Sequence, residues 1–333
     1  MDNRATKVAP YVWSHRYLRS HRREMWVAIA IGLLFALLAI VRPEYFGRGN
    51  LTDLFLANFA VLIIAAGMTL VILTGDIDIS VGSLFAVCAV TAGVLAKVGF
   101  PTVLVFVFVC MLGALAGALN GSLVAFLRLP SIVVTLAMMI VLRDALRWIT
   151  QGAWVQNLPA NFQWMGLSQA SYPFAAGLLA ATIVAVLAWI LRYTAAGRRI
   201  YATGSSRDAA RLNGVNIAAV TLCAFASLGA LTGLAAVLNA MRFNQVPANT
   251  GLGLELKVIA AVLVGGTAIT GGRGTLAGTV LGVVLLGAIG PALTFLGVSA
   301  YWERAIQGAI ILVAVAADAL PRLTQMSGVL RRA

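Results

Sequence analysis

The sequence predicts an all-helical membrane protein of about ten transmembrane helices, and three observations carry that expectation. Hydrophobic residues make up 61% of the 333, charged residues only 11%, and the mean hydropathy is +0.95. An average soluble domain carries roughly 25% charged residues, and so apolar a chain has too little polar surface to coat a ball in water. Apolar runs near the roughly 20 residues needed to cross a bilayer recur along the chain. Sustained alternation of polar and apolar residues, the pattern of a transmembrane barrel, is missing from the sequence.

In chain order the candidate spans are 25–41, 54–73, 82–96, 102–124, 131–149, 174–191, 217–240, 256–270, 275–295 and 303–320. The first runs apolar for a full span with no small-residue cleavage site before Arg42, so it reads as a retained helix, not a signal peptide. This divides the chain into a basic tail (1–24), a transmembrane unit (25–320) and a second tail (321–333). The net charge of +13 is unevenly spread. Arg4, Lys7, Arg16, Arg19, Arg22 and Arg23 precede the first span, and Arg192, Arg198, Arg199, Arg207 and Arg211 crowd one later loop. Arg322, Arg331 and Arg332 lie in the end tail, whereas 150–173 has no charged residue. Positive loops stay inside, so both termini and the 192–215 loop are expected in the cytoplasm and 150–173 outside. The basic loops fit an anionic leaflet and not nucleic acid.

Two polar, glycine-containing stretches interrupt apolar helices: Leu73-Thr-Gly-Asp-Ile-Asp-Ile-Ser-Val-Gly-Ser-Leu84 and Val264-Gly-Gly-Thr-Ala-Ile-Thr-Gly-Gly-Arg-Gly-Thr-Leu276. Their shared order with a second pair, beginning at Gly117 and Gly287, suggests an internal repeat of the kind common in transporters. Gly113, Gly117 and Gly121, and again Gly278 and Gly282, form small-residue ladders expected to let helices approach closely. Cys88, Cys110 and Cys223 sit inside apolar spans and read as small buried hydrophobes. His15 and His21 are confined to the basic tail, so no metal site is expected in the spans.

Asp76 and Asp78 fall where the second span breaks. Acids at membrane depth are usually functional, yet Asp78 or Ser80 also suits the cap of the next helix; both a structural and a pathway role stand open. In the arginine-rich loop, Ser206 is an N-cap candidate, Arg207 to Asn213 can make two turns, and Gly214 suits a left-handed stop. In the fifth span, Arg143, Asp144 and Arg147 need partners, with Arg143–Asp144 and Asp144–Arg147 as candidate pairings. No Gly-x-x-x-x-Gly-Lys-Ser/Thr segment is present, so the chain has no phosphate cradle of that type.

Several motifs in one order carry a family resemblance. They are Gly75-Asp-Ile-Asp-Ile-Ser-Val-Gly-Ser83, Asn120-Gly121 with Leu129-Pro-Ser-Ile-Val-Val-Thr-Leu136, and Gly197-Arg-Arg-Ile-Tyr-Ala-Thr-Gly204. Ala209-Ala-Arg-Leu-Asn-Gly214, Ile259-Ala-Ala-Val-Leu-Val-Gly-Gly266, Gly271-Gly-Arg-Gly274 and Tyr301-Trp302 follow. From about residue 50 to 318 the chain resembles the permease subunits of bacterial carbohydrate ABC importers of the ribose, xylose, rhamnose and autoinducer-2 type. The uncharged run around Gly152-Ala-Trp154 and Leu158-Pro159 is most similar to the rhamnose and autoinducer-2 permeases. Asp144 stands where glycine is more usual in that family.

The resemblance implies a type II importer fold in the bacterial inner membrane, importing a sugar or sugar-like solute, rhamnose or autoinducer-2 foremost. It implies a second permease, a periplasmic substrate-binding protein and a separate ATPase that alone holds ATP and magnesium; this chain binds no cofactor and is not an enzyme. The segment with Gly204, Ser206, Arg207, Asp208, Ala209, Ala210, Arg211 and Gly214 is then the coupling helix seated on the ATPase. Asn58, Asp76, Asp78, Asn120, Trp154 and Asn239 are candidates to line the translocation path. The alternative is an ion-coupled secondary transporter of a small polar solute, which requires titratable groups deep in the spans.

Overall fold

The computed structural model describes residues 22–299 and 301–313. The expected tails lie outside that range, except for residues 22–24, which open the first helix. The helices are α1 (Arg22–Val41), α2 (Arg48–Leu73), α3 (Val81–Lys97), α4 (Thr102–Phe126), α5 (Ser131–Thr150) and α6 (Tyr172–Tyr193). Then come α7 (Ala195–Ser205), α8 (Arg207–Leu212), α9 (Ile217–Ala240), α10 (Leu254–Val264), α11 (Leu276–Phe295) and α12 over residues 302–313. A helix occupies, wholly or in part, each of the ten stretches picked from the sequence.

Length and composition license fewer spans than ten. Among the described residues six helices, α1, α2, α4, α6, α9 and α11, are long and apolar enough to cross a bilayer. The others fall short for physical reasons. α3 has 17 residues, α5 carries Arg143, Asp144 and Arg147 in its 20, and α10 has only 11. At 1.5 Å per residue, α10 spans roughly 16 Å, half the hydrocarbon layer. The two interrupted helices also differ, since α2 has 26 residues where α10 has 11.

α2 is the centre of the bundle: every residue from Phe59 to Leu73 except Leu62 is buried. Around it pack α9, α6, α10 and α11, with α3 against α9, α4 and α5. α4 and α9 run together along most of their lengths, and the glycine ladder explains the approach. A Cβ on Gly113 or Gly117 would run into the carbonyl oxygens of Gly229 and Phe225 on α9. Gly278 and Gly282 of α11 likewise lie on the backbone of Gly265 and Ala261 at the end of α10. With no water to drive helices together, such backbone contact and dispersion hold the bundle. The outward faces of α1, α4 and α6 expose Leu33, Ile40, Val103, Leu115, Phe174 and Trp189, as a lipid-facing surface requires.

The bundle has two unlike ends. At the basic end, the α2–α3 linker (74–80), α7, α8 and the α10–α11 loop (265–275) converge. At the other end, the uncharged 151–171 loop forms a plate. Its β1 (Val155–Gln156) pairs antiparallel with β2 (Gln245–Val246), and the Trp164 amide donates to the Met241 carbonyl at 2.8 Å. Leu158 and Phe162 are buried beneath it.

Candidate functional site

At the basic end the sequence builds a small helix and pins it. Ser206 caps α8, its Oγ accepting from the Ala209 amide at 3.3 Å, and Gly214 takes the left-handed conformation at φ +74°. Both follow the sequence expectation. Ala210 is buried beneath the helix, Asp208, Ala209 and Arg211 are exposed, and Leu212 at its tip is 89% exposed. Arg207 reaches inward, its Nη2 donating to Asp76 Oδ2 at 2.7 Å. Burial pushes the Asp76 carboxyl above the ordinary carboxylate range, while the Arg207 guanidinium beside it and hydrogen bonds from Thr74 and Ser131 pull it back.

Beneath this ion pair three chain segments meet backbone to backbone. The Gly272 amide donates to the Leu73 carbonyl at 2.9 Å. A side chain on Gly204 would collide with Leu73 O and Gly272 N, and one on Gly271 would meet Gly75. Gly75 and Gly271 have φ of +84° and +82°, conformations open to glycine at little cost. The end of α7, from which α8 follows directly, is thus joined to the end of α2 and to the α10–α11 loop through peptide groups that have no rotamers.

Asp78 serves the next helix. Its Oδ1 accepts from the Ser80 amide at 2.8 Å and hydroxyl at 2.6 Å, and Asn120 of α4 donates to Ser80 Oγ at 2.9 Å. Ser131 and Thr135 of α5 bond the Ile77 amide and carbonyl, at 3.2 and 3.3 Å. Asp76, Asp78 and Asn120 are all buried, so these three path candidates are knitted into the linker. Asn58 donates to Leu54 O at 2.8 Å and packs against Gly287. Trp154 is half exposed on the plate. Of the six, only Asn239 lines the large cavity described next.

That cavity, about 960 Å³, lies between α2, α3, α10 and α12. Its wall includes Glu255 and Lys257 of α10, Glu303, Arg304 and Gln307 of α12, and the backbone of 250–253. Sequence reasoning misses these charges because Lys257 and Glu303 sit at the starts of candidate spans, where charge is ordinary. The signal available is that Glu255 and Lys257 follow Gly251-Leu-Gly253, a breaker just before an apolar run. In α5, Asp144 pairs with Arg147 at 3.4 Å, as the spacing suggests. Arg143, only 8% exposed, instead donates to the Thr250 carbonyl at 2.9 Å and braces the 247–253 segment.

The described residues thus combine an interrupted helix pair, a half-open charged pocket and a capped surface knob. The chain matches the family described as branched-chain amino acid transport system / permease component over residues 50–315, and it belongs to that family. It is 37% identical over 292 residues to the autoinducer 2 import system permease protein LsrC of Yersinia pseudotuberculosis serotype O:1b (strain IP 31758), covering 88% of this chain and 83% of that one. LsrC of Yersinia pestis (strain Pestoides F) shows the same identity and coverage. No solved structure matches. The resemblance to carbohydrate importer permeases read from the motifs thus holds. This is a multi-pass inner-membrane protein whose relatives are transport subunits and not enzymes.

Proposed function

We propose that this chain is the permease of an ATP-driven importer for a small sugar-like solute, with autoinducer 2 the first candidate and rhamnose the second. The single observation that carries the ATP-driven part is the mounting of α8. A six-residue helix pinned from beneath, with Leu212 exposed at its tip, has the form of a knob that could seat in a cleft of a partner. Its ion pair to Asp76, and the glycine seam at the end of α7, would carry a push on that tip into the α2–α3 linker, the end of α2 and the α10–α11 loop. A separate ATPase seated over Leu212 and Arg211 supplies that push when it closes. Both termini and α8 then face the cytoplasm, and the plate faces a periplasmic binding protein. A second permease, identical or related, completes the pathway.

The experiment is cross-linking at Ala209 and Leu212, each replaced by cysteine, in membranes containing the assembled system. Both should form adducts with the ATPase subunit, and an adduct at neither position defeats the assignment. A second reading has one observation in its favour. Glu255, Lys257 and Glu303 are the deep titratable groups that an ion-coupled secondary transporter requires. Uptake that persists without the ATPase, and collapses with the proton or sodium gradient, would establish it.

A further inference from the structure

The basic end holds a second, smaller cavity of about 540 Å³, bounded by the end of α4, by α8 and by the start of α9. Three arginines stand in its wall: Arg128, just beyond α4, and Arg207 and Arg211 of α8. Residues four apart share a face of a helix, so the two on α8 lean to the same side, away from the side shared by Asp208 and Leu212. No carboxylate among the described residues lines the cavity. Arg207 is engaged with Asp76, whereas neither Arg128 nor Arg211 has an ion pair among the described residues. Like charges gathered around one space repel, and an anion seated between them removes that repulsion.

The helix ends do not set the sign of this cavity. α4 brings its carbonyl end and α9 its amide end, so their dipoles partly offset, and the guanidinium groups decide. Arg128 also stands at φ +56°, an uncommon backbone for any residue but glycine, asparagine or aspartate. The rim is apolar on the lipid side. Met111, Leu115 and Leu119, each four residues from the next, share one exposed face of α4, and Phe126 carries that face to the wall of the cavity. A planar guanidinium matches the oxygens of a phosphate, and basic pockets between membrane helices suit anionic lipid headgroups. A ligand with a phosphate at one end and hydrocarbon at the other fits both halves of this surface.

We propose that this cavity holds the phosphate of an anionic phospholipid from the adjoining leaflet, with the acyl chains lying along Phe126, Leu119 and Leu115. Arg128 and Arg211 donate to the phosphate oxygens, and the half-exposed Arg207 adds a third positive charge while keeping its bond to Asp76. The bound lipid then bridges α8 to the end of α4. The site lies outside the permease reading: it needs no ATPase and no solute, only a basic end that meets an anionic leaflet.

The test titrates labelled phosphatidylglycerol onto the purified full-length chain in neutral detergent and reads the bound lipid. Binding should saturate and should weaken about tenfold in Arg128→Asn and in Arg211→Gln. Asparagine suits the left-handed backbone at 128 better than arginine does, so the first variant keeps its fold, and Arg128→Lys should restore most of the binding. Arg198→Gln removes an exposed arginine of α7 outside the cavity and should stay within twofold of wild type. Binding within twofold of wild type in both Arg128→Asn and Arg211→Gln overturns the site, and an equal loss in Arg198→Gln reduces it to diffuse surface charge. Unlabelled phosphatidylcholine and glycerol phosphate are the competitors. Displacement by phosphatidylcholine as effective as by phosphatidylglycerol refutes the role of the arginines, and displacement by glycerol phosphate as effective as by the lipid refutes the acyl contact. The titration is repeated on the chain assembled with its ATPase. Retained lipid supports the proposal, whereas its complete release gives the cavity to the protein partner and overturns a lipid site. Failure of α8 to cross-link to an ATPase would leave the lipid measurement standing.

Discussion

The basic end and the pocket beside α10 and α12 both hold charged side chains, and they constrain them in opposite ways. Asp76 is fixed by Arg207, Thr74 and a linker whose backbone is bonded to α5 and which follows a Leu73 carbonyl held by the Gly272 amide. Glu255, Lys257 and Glu303 stand on two helices around open space, on side chains with three or four rotatable bonds. A seam of peptide groups transmits displacement with little loss, because no rotamer can absorb it. Long polar side chains, by contrast, can change rotamer, so the wall of the pocket can adjust where the seam cannot.

That contrast can be broken most forcefully with glycine substitutions. Gly204→Ala places a Cβ into Leu73 O and Gly272 N, whereas Gly308→Ala on the cavity wall has no neighbour within 4 Å. Overpacking costs about 1–3 kcal/mol where atoms can shift, and backbone cannot shift cheaply. Gly204→Ala should lower the melting temperature of the purified protein by several degrees or abolish its yield. Gly308→Ala should leave both unchanged or slightly improved, since alanine favours helix by about 0.5–1 kcal/mol.

A smaller effect is expected from the ion pair. Arg207→Gln leaves a mostly buried carboxylate alone, at a cost of about 1–2 kcal/mol once the half-exposed guanidinium is discounted for solvent screening. Uptake should fall about tenfold with the ATPase still bound, and exchanging the two charges (Asp76→Arg with Arg207→Asp) should restore part of it. Arg143→Met comes next. It strips the Thr250 carbonyl of its donor, so hydrogen exchange at 247–253 should rise several-fold with a stability loss of about 1 kcal/mol. The least effect belongs to Asp144→Asn, because both members of the Asp144–Arg147 pair are more than half exposed in the last turns of α5. A change below about 0.5 kcal/mol is expected there.

Much of this is legible in the sequence, and the reasons are local. Ser206 and Gly214 mark α8 because caps and left-handed stops depend on residue type over a few positions. The ladder at Gly113, Gly117 and Gly121 marks a close contact for the same reason, although nothing in it names α9 as the partner. What the sequence hides are relations across the fold. Asp76 and Arg207 are 131 residues apart, and nothing local ties them. The pocket is hidden further, because Lys257 and Glu303 look like span-end charges and nothing local brings α10 and α12 together. The count of ten spans is not confirmed for a related reason: hydropathy sees apolar runs and not helix length, and α10 has only 11 residues.

The proposal that the drive enters at α8 is tested most directly by reconstituted uptake with and without the partner ATPase. Proteoliposomes holding this chain, its partner permease and the binding protein should accumulate labelled autoinducer 2 or rhamnose only when the ATPase and ATP are present. The Arg207→Gln variant should hydrolyse ATP with little uptake. Accumulation that proceeds without the ATPase, or is untouched by Arg207→Gln, would contradict the account.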